Sequence, residues 1–235
     1  MAEAKVLSGA GLRGQVAGQT ALSTVGQAGA GLTYRGYDVR ELAADARFEE
    51  VAYLLLYGEL PTQAQLDGYL KKLQGLRDLP QALKEVLERI PADTHPMDVM
   101  RTGCSMLGTL EPEASFDQQH DSTDRLLAAF PAIMCYWYRF SHDGKRIDCV
   151  TDEVSIAGHF LKLLLDKAPS ELHRKVMDVS LILYAEHEFN ASTFTARVCA
   201  STLSDLFSCV TAAIGTLRGP LHGGANEAAM DMIEK

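Results

Sequence analysis

The chain has 235 residues, of which 47% are hydrophobic and 23% charged, and its formal net charge is −9. This composition is ordinary for a soluble globular protein, and the length suffices for one large domain or two small ones. The acidic balance argues against nucleic acid as a partner, because phosphate backbones require clustered lysine and arginine. No apolar run reaches the ~18 residues that span a bilayer, and no signal or transit peptide is recognisable. We therefore predict a cytoplasmic protein with no membrane association.

The N-terminal part of the sequence, residues 1–36, is rich in glycine, alanine, serine and threonine. Short β-favouring pieces lie around residues 20–25 and 32–34, and the Gly29-Ala30-Gly31 segment separates them. This pattern predicts a small β-hairpin or arm, and everything after it is predicted to be helical.

Apolar residues recur at helical spacing through the rest of the chain, and capping signals divide that pattern into separate helices. The predicted helices cover residues 38–44, 48–57, 62–73, 79–90, 96–107, 125–140, 155–165, 172–186 and 192–217, and a last one begins near Ala225. Residues 111–124 are predicted to form a loop. The fold class is therefore mainly α, with roughly ten helices.

Two of these helices, over residues 97–107 and 126–138, carry apolar side chains on more than one face. A helix that is apolar around its circumference lies at the centre of a core. Aromatic and methionine enrichment is also typical of an interface between two copies of a chain. Both interpretations can hold together.

The five cysteines are widely spaced, and most of them lie in apolar helical patterns: Cys104, Cys135, Cys149, Cys199 and Cys209. No CxxC pair occurs, which argues against a metal knuckle or thioredoxin-like chemistry. We predict that they are reduced core residues and that the chain binds neither a metal nor a cofactor.

Two histidines stand at the ends of the predicted 192–217 helix and are the leading candidates for a functional site. His187 precedes it, and His222 follows it between Pro220 and a pair of glycines. Glycine and proline let the backbone turn tightly and approach a ligand closely. On spacing alone, a helix-terminal or turn histidine with a structural role explains each position as well.

Other residues are assigned ordinary roles. Zinc hydrolysis and serine nucleophile chemistry are disfavoured, because neither an HExxH nor a GxSxG motif occurs. We predict surface or capping positions for His95, His120, His142, His159 and His173, and a solvated helix face for Lys71, Lys72 and Arg77.

Five segments together resemble the citrate synthase family, and the similarity is collinear along essentially the whole chain. They are residues 34–38, 48–61, 95–102, 187–193 and 219–226. Within that family, residues 136–142 and 185–194 are most similar to the bacterial 2-methylcitrate synthases. The resemblance implies a citrate-synthase-like large helical domain over residues 37–223, with residues 224–235 starting a small domain.

The resemblance also implies a reaction and roles for the two histidines. The family condenses an acyl-CoA thioester with oxaloacetate, and propionyl-CoA is the expected acyl donor here. His222 matches the histidine that polarises the thioester carbonyl, and His187 matches the one that holds oxaloacetate. Asn190 and Asn226 are candidates for supporting hydrogen bonds, although ordinary helix capping explains both. A homodimer packed through apolar helices is expected.

The sequence departs from the family in one respect. Nothing in it matches the family's second catalytic histidine, its aspartate base or most of its CoA site, which we expect beyond Lys235. We therefore predict that this chain alone is inactive. Citrate synthase with acetyl-CoA, a citryl-CoA-lyase-like module and an inert dimerisation scaffold stay open as alternatives.

Overall fold

The computed structural model describes residues 17–26 and 31–223. Three short strands come first: β1 (Ser23–Thr24), β2 (Thr33–Tyr34) and β3 (Tyr37–Asp38). Ten α-helices follow within the described residues: α1 (Val39–Asp45), α2 (Phe48–Tyr57), α3 (Gln63–Gly75), α4 (Gln81–Leu87), α5 (Pro96–Leu110), α6 (Gln119–Asp143), α7 (Ile156–Leu165), α8 (Glu171–Leu183), α9 (Ala191–Ala200) and α10 (Leu206–Leu217). The prediction of a mainly α fold with a small N-terminal β element is confirmed.

The strands form one antiparallel sheet in the order β1-β2-β3. Ser23 pairs with Tyr34, and Tyr34 pairs in turn with Tyr37. The predicted hairpin is therefore present, but the prediction that only helix follows residue 36 is wrong. The third strand was missed because Asp38 gives a strong helix-capping signal and because the strand is only two residues long.

Capping residues mark the helix ends as predicted. The Asp38 side chain accepts a hydrogen bond from the Arg40 backbone N–H at the start of α1, and Thr62 forms a reciprocal capping box with Gln65 at the start of α3. Gly58 ends α2 in the left-handed region with φ 98°, a conformation that glycine adopts without a steric penalty. These local signals set the boundaries of the helices.

Two predicted boundaries are wrong. Part of the expected 111–124 loop is helical, because a 3-10 turn over Phe116–Gln118 leads directly into α6. The predicted 192–217 helix is broken into α9 and α10. Asp205 begins α10 by accepting the Ser208 backbone N–H, and this cap interrupts a helical pattern that is otherwise continuous.

The main core is built by α4, α5, α6, α7 and α10. Its largest fully buried side chains include Leu83, Leu87, Leu107, Ile133 and Trp137. The helices α5 and α6 approach closely at Gly103, where an added Cβ would lie 2.4 Å from Ile133 Cγ2. The central position predicted for the two apolar helices is confirmed by this packing.

A second core cluster joins the sheet to α2, α3 and α8. Its fully or almost fully buried members include Tyr34, Leu54, Leu73 and Ile182. Through this cluster the N-terminal sheet packs near the end of α8, where the segment carrying His187 begins.

The cysteines are all free thiols. Four are buried, as predicted for core residues, while Cys199 is partly exposed. Within the part of the chain that the structure describes, none of the helices is both long and apolar enough to cross a membrane.

Candidate functional site

The N-terminal sheet holds the segment that carries His187. This histidine is exposed in the connection between α8 and α9. The Ser23 hydroxyl of β1 accepts the Glu188 backbone N–H at 3.1 Å and donates to Glu186 Oε1 at 3.2 Å. The Val25 backbone N–H donates to Glu188 Oε1 at 2.9 Å. Hydrogen bonds to Ser23 and Val25 therefore fix the residues on both sides of His187.

Two further features define the path of this connection. Tyr34 is fully buried, and its hydroxyl donates to the Ile182 carbonyl oxygen at 2.9 Å, at the end of α8. Glu188 lies in the left-handed region with φ 54°, which costs free energy for a residue with a side chain. The hydrogen bonds from β1 to Glu188 offset that cost and maintain the turn beside His187.

His222 is connected to the first turn of α9 by a short chain of hydrogen bonds. Its Nε2 lies 2.9 Å from Ser192 Oγ, and Ser192 Oγ lies 2.8 Å from Asn190 Oδ1. Asn190 Oδ1 also accepts the Thr193 backbone N–H at 2.8 Å, as the N-cap of α9. The capping role predicted for Asn190 is thus confirmed, and its hydrogen bond to Ser192 extends that role towards His222.

This geometry assigns the proton on the imidazole. Asn190 Oδ1 has no proton to give, so the single hydroxyl proton of Ser192 is donated to it. Ser192 Oγ then acts as an acceptor, and His222 Nε2–H is the donor. In the neutral ring this tautomer leaves Nδ1 as the hydrogen-bond acceptor.

The turn that carries His222 is tied to the end of α10 by backbone hydrogen bonds. The His222 N–H donates to the Gly219 carbonyl, and the Gly223 N–H donates to the Leu217 carbonyl, each at 3.0 Å. A Cβ added at Gly223 would lie 2.4 Å from that same Leu217 oxygen. Only glycine fits this close approach to the backbone at the end of α10.

The beginning of α9 therefore connects Asn190, Ser192 and His222. Asn190 and Ser192 lie there, His222 reaches it through Ser192, and His187 stands three residues before the cap. Asn226 and the helix predicted near Ala225 lie outside the described residues. The positive end of the α9 dipole and its free N–H groups favour an anion at this position.

Sequence reasoning missed Ser23 and Ser192 as contributors to this site. Ser192 could have been found, because it lies two residues after a predicted N-cap, where a hydroxyl faces the start of the helix. Ser23 is 163 residues away from Glu186 in the chain, and no local pattern connects a strand serine to a distant loop.

Two residues predicted to be solvated are buried. Arg77 is 1% exposed and donates to backbone carbonyls of the 151–155 segment, including that of Val154 at 2.9 Å. His159 is fully buried, and its Nδ1 lies 2.9 Å from Thr151 Oγ1. Burial, together with the nearby Arg77 charge, lowers the pKa of His159 to about 3, so this imidazole is neutral. The surface predictions for both residues are wrong, because the Arg77 guanidinium and His159 Nδ1 find hydrogen-bond partners in the 151–155 segment.

The fully buried Glu49 completes this polar interior. Its Oε1 accepts the Ile156 backbone N–H at 2.6 Å, and burial raises the pKa of its carboxyl. Asp178 accepts the Phe48 backbone N–H at 3.2 Å, and burial raises its pKa as well. These groups cap α7 and α2 from within the fold, and so they position the two helices.

A surface cleft of about 760 Å³ lies elsewhere, between the 45–47 segment and the ends of α7 and α8. Two of its basic residues are paired with acidic ones, since Arg174 pairs with Glu153 and Lys162 pairs with Asp152. None of the predicted site residues lines it. Among the described residues, no group of three or more histidine, cysteine or acidic side chains is arranged to hold a metal ion.

Comparisons with known proteins identify relatives of this chain. Residues 11–235 match the family described as "Citrate synthase, C-terminal domain". The chain is 76% identical over 234 residues to the 2-methylcitrate synthase of Shewanella oneidensis, covering 100% of this chain and 62% of that protein. It is 42% identical to the citrate synthase of Mycolicibacterium smegmatis, covering 95% of this chain and 60% of that one.

Solved structures show the same fold. A citrate synthase of Thermoplasma acidophilum, solved in a ternary complex with carboxymethyl coenzyme A and oxaloacetate, superposes with a TM-score of 0.88 at 30% identity. That match covers 95% of this chain and 59% of the other. The citrate synthase of Thermotoga maritima gives a TM-score of 0.83 at 34% identity, with the same coverage of both chains.

The chain spans about three fifths of the length of these relatives, with 62% of the Shewanella protein covered. The family match extends over most of the sequence and includes both histidine segments. The chain belongs to the citrate synthase family.

Proposed function

We propose that the chain provides the oxaloacetate-holding part of a 2-methylcitrate synthase. The complete enzyme would condense propionyl-CoA with oxaloacetate and release 2-methylcitrate and CoA. The observation that carries this proposal is the hydrogen-bonded series His222–Ser192–Asn190 at the start of α9, three residues after His187. The 76% identity to a protein of that name supports the choice of reaction.

His187 is proposed to bind the keto acid. Its exposed ring stands beside the positive end of α9, which attracts the carboxylates of oxaloacetate. A hydrogen bond from the imidazole to the substrate ketone would draw electron density from the carbonyl carbon and make it a better electrophile. The hydrogen bonds of Ser23 to Glu186 and Glu188 hold the segment around His187 in one conformation. Less conformational entropy of this segment is then lost when the substrate binds.

His222 is proposed to act on the acyl-CoA. Removing a proton from the carbon next to the thioester develops negative charge on the thioester oxygen, and a hydrogen-bond donor placed there stabilises it. If the Ser192 hydroxyl turns to donate to Nε2, the neutral ring must release its Nε2 proton to solvent and take one up on Nδ1, and Nδ1–H could then donate to that oxygen. A water-excluding closure by the rest of the enzyme would protect the intermediate.

The remaining expectations belong to this proposal. Asn190 and Asn226 would support the two histidines, the substrates would be oxaloacetate and an acyl-CoA, and no resident cofactor or metal would be required. The enzyme would work in the cytoplasm as a homodimer packed through α5 and α6. The chain alone would not turn over, because it lacks recognisable counterparts of the aspartate base and the CoA site.

Oxaloacetate titration followed by calorimetry tests the half-site. We expect weak, saturable binding to the chain and its loss in His187→Ala. His142→Ala is the matched control, because His142 is an exposed histidine at the end of α6. Equal binding by both variants would contradict the role of His187. A dimer that binds no oxaloacetate in any form would favour the inert scaffold instead.

Turnover is tested by following the loss of thioester absorbance from propionyl-CoA in the presence of oxaloacetate. The chain alone should show none. Extending it with the remaining C-terminal part of the Shewanella relative should restore activity and allow kcat/KM to be compared for propionyl-CoA and acetyl-CoA. Because most of the CoA site is expected in the added part, that ratio describes the chimera as a whole, and a chimera without turnover on either thioester would contradict the proposal.

A further inference from the structure

A second set of contacts holds the connection between α8 and α9, besides the hydrogen bonds from Ser23 and Val25. It centres on Phe189, which is half-buried and lies two residues after His187. The Arg197 guanidinium, from the last turn of α9, lies over the Phe189 ring, with its carbon 4.8 Å from the ring centroid. This distance is within the range of a cation–π interaction.

Arg197 reaches this ring along the length of α9. It follows the Asn190 cap by seven positions, which corresponds to about 10 Å along a helix axis. Helical side chains lean towards the N-terminus of their helix, so a long arginine side chain spans much of that distance. Within the described part of the chain, no ion pair or hydrogen bond engages the guanidinium, so the Phe189 ring is its partner there.

The N-terminal segment approaches the same ring. A Cβ added at Gly18 would lie 3.0 Å from Phe189 Cζ and 3.4 Å from its Cε1. A side chain at position 18 would therefore press on the ring, and glycine lets the backbone come this close. Phe189 thus joins the connection between α8 and α9 to both the N-terminal segment and the last turn of α9.

The place of Phe189 in the chain makes these contacts relevant to His187. It lies between Glu188, whose left-handed φ of 54° costs free energy, and Asn190, the N-cap of α9. A strained residue keeps its conformation only where the surrounding contacts determine it. The hydrogen bonds from β1 hold Glu188 itself, whereas the contacts of the ring hold the residue that follows. Releasing the ring would free one side of the turn that carries His187.

We propose that Arg197 is a positioning residue for the oxaloacetate site, because it holds Phe189 and thereby maintains the turn that orients His187. This inference rests on the proposed function. Arg197 acts through the Phe189 ring and does not touch the ligand. A basic residue in the last turn of a helix also interacts favourably with the helix dipole, but that effect does not require Phe189. The two explanations therefore predict different results.

The experiment is a double-mutant cycle on Arg197 and Phe189, with the oxaloacetate affinity measured by calorimetry. Arg197→Met retains the apolar stem and removes the cation, so the affinity should fall about two- to fivefold, as expected for one exposed cation–π interaction. Arg197→Lys keeps a cation and should recover most of that loss. In the Phe189→Leu background, Arg197→Met should cause no further loss. Arg89→Met removes another exposed arginine and is the control, with unchanged affinity.

Amide hydrogen exchange of the chain without ligand gives a second readout. The Glu188 N–H, which donates to Ser23, should exchange about two- to fivefold faster in Arg197→Met and in Phe189→Leu. The Ser201 N–H donates to the Arg197 carbonyl oxygen at the end of α9, and its exchange should not change. A role limited to the helix dipole would give the reverse pattern, with faster exchange at Ser201 and none at Glu188.

Two results would overturn the proposal. Unchanged exchange of the Glu188 amide in Arg197→Met would show that the ring contact does not hold the turn. An equal loss of affinity from Arg197→Met with and without Phe189→Leu would show that the Arg197 charge acts on the ligand directly. Circular dichroism checks the fold of Arg197→Met, and Arg197→Gln, which also lacks the cation, repeats the comparison.

Failure of the proposed function would look different. The unchanged chain would then bind no oxaloacetate, while the exchange of the Glu188 amide would still depend on Arg197 and on Phe189. That result would reject the oxaloacetate site and support the positioning of the His187 turn by Arg197.

Discussion

The helices α4–α6 and the two helices α8 and α9 have very different packing, although they belong to one chain. The long helix α6 buries eleven residues, including Trp137 and Ile133. By contrast, α9 contains no buried residue, and α8 buries only Asp178 and Ile182. The first region is therefore stabilised by its own apolar interior, whereas the second is organised mainly by caps and hydrogen bonds.

The residues proposed for chemistry are all in or next to the second region. Large apolar side chains are exposed there, including Val176 at 57% and Val198 at 51%. A site needs polar groups that stay accessible, and such groups cannot also form a dry core. In this chain, the buried apolar core and the candidate site therefore belong to neighbouring groups of helices.

Truncation of apolar side chains should separate the two regions most clearly. Leu107→Ala in α5 removes a fully buried side chain and should lower the free energy of unfolding by about 2–5 kcal/mol. Val198→Ala in α9, where the side chain is 51% exposed, should change it by less than about 0.5 kcal/mol. Urea unfolding followed by circular dichroism measures both. Similar losses in the two variants would show that the regions do not differ in this way.

Glycine replacements should sharpen the same contrast within the first region. Gly103→Ala places a methyl group 2.4 Å from Ile133 Cγ2, so α5 and α6 must separate, at a cost of about 1–3 kcal/mol. Gly68→Ala in α3 meets nothing within 4 Å and should stabilise the protein by about 0.5–1 kcal/mol through helix propensity. The urea midpoints of the two variants should therefore move in opposite directions. If Gly103→Ala stabilised the protein, α5 and α6 would have room for a methyl group between Gly103 and Ile133.

The buried His159 should make stability depend on pH. Its pKa is about 3 in the folded protein and about 6.5 when unfolded, so the unfolded chain binds more protons between these values. Its stabilising contribution is present above pH 6.5 and is lost as the pH falls towards 3. Between pH 7 and pH 5 the free energy of unfolding should fall by about 1–2 kcal/mol for this reason.

The variant His159→Asn keeps an acceptor near Thr151 and should remove most of that pH dependence. His173→Gln, at an exposed position in α8, should leave it unchanged. Glu49 and Asp178 have raised pKa values, so their effect on stability has the opposite sign, but both variants retain it. The difference between the two variants therefore isolates His159. Identical pH profiles of stability in the two variants would show that water reaches the His159 ring and that its pKa is not lowered in the folded protein.

Sequence patterns predicted the fold well wherever the signal was local. The limits of α2 were predicted to the residue, because Phe48 begins an apolar run and Gly58 is followed by Pro61. The break between α9 and α10 was missed because helical periodicity continues through it. Burial of Arg77 and His159 could not be read from the sequence, since their partners are backbone groups of the distant 151–155 segment.

The candidate site was predicted in part, and for a similar reason. His187, Asn190 and His222 were identified from short motifs and from the resemblance to a family. The sequence could not indicate that Ser192 connects His222 to Asn190, because that contact joins residues 30 positions apart. Local chemistry thus predicted the residue types of the site, and tertiary packing supplied the contacts between them.

The smallest effect should come from Ser192, and it tests whether hydrogen bonding orders the second region. Ser192→Ala retains the Asn190 cap on Thr193 but removes the acceptor for His222 Nε2. Losing one such hydrogen bond costs about 1 kcal/mol, so oxaloacetate affinity should fall by about five- to tenfold. Ser201→Ala, at the other end of α9, removes a hydroxyl that bonds only to the Val198 carbonyl and should not change the affinity.

A spectroscopic readout distinguishes positioning of His222 from a general loosening of the helix. Nitrogen NMR of the imidazole should report the proton on Nε2 in the unchanged chain, and a mixture of both tautomers in Ser192→Ala. Weaker binding with an unchanged tautomer would mean that Ser192 supports the helix and does not orient the ring. Weaker binding together with tautomer mixing would show that the Ser192 hydroxyl determines which imidazole nitrogen of His222 carries the proton. A single hydrogen bond would then orient this histidine in a region with little buried surface.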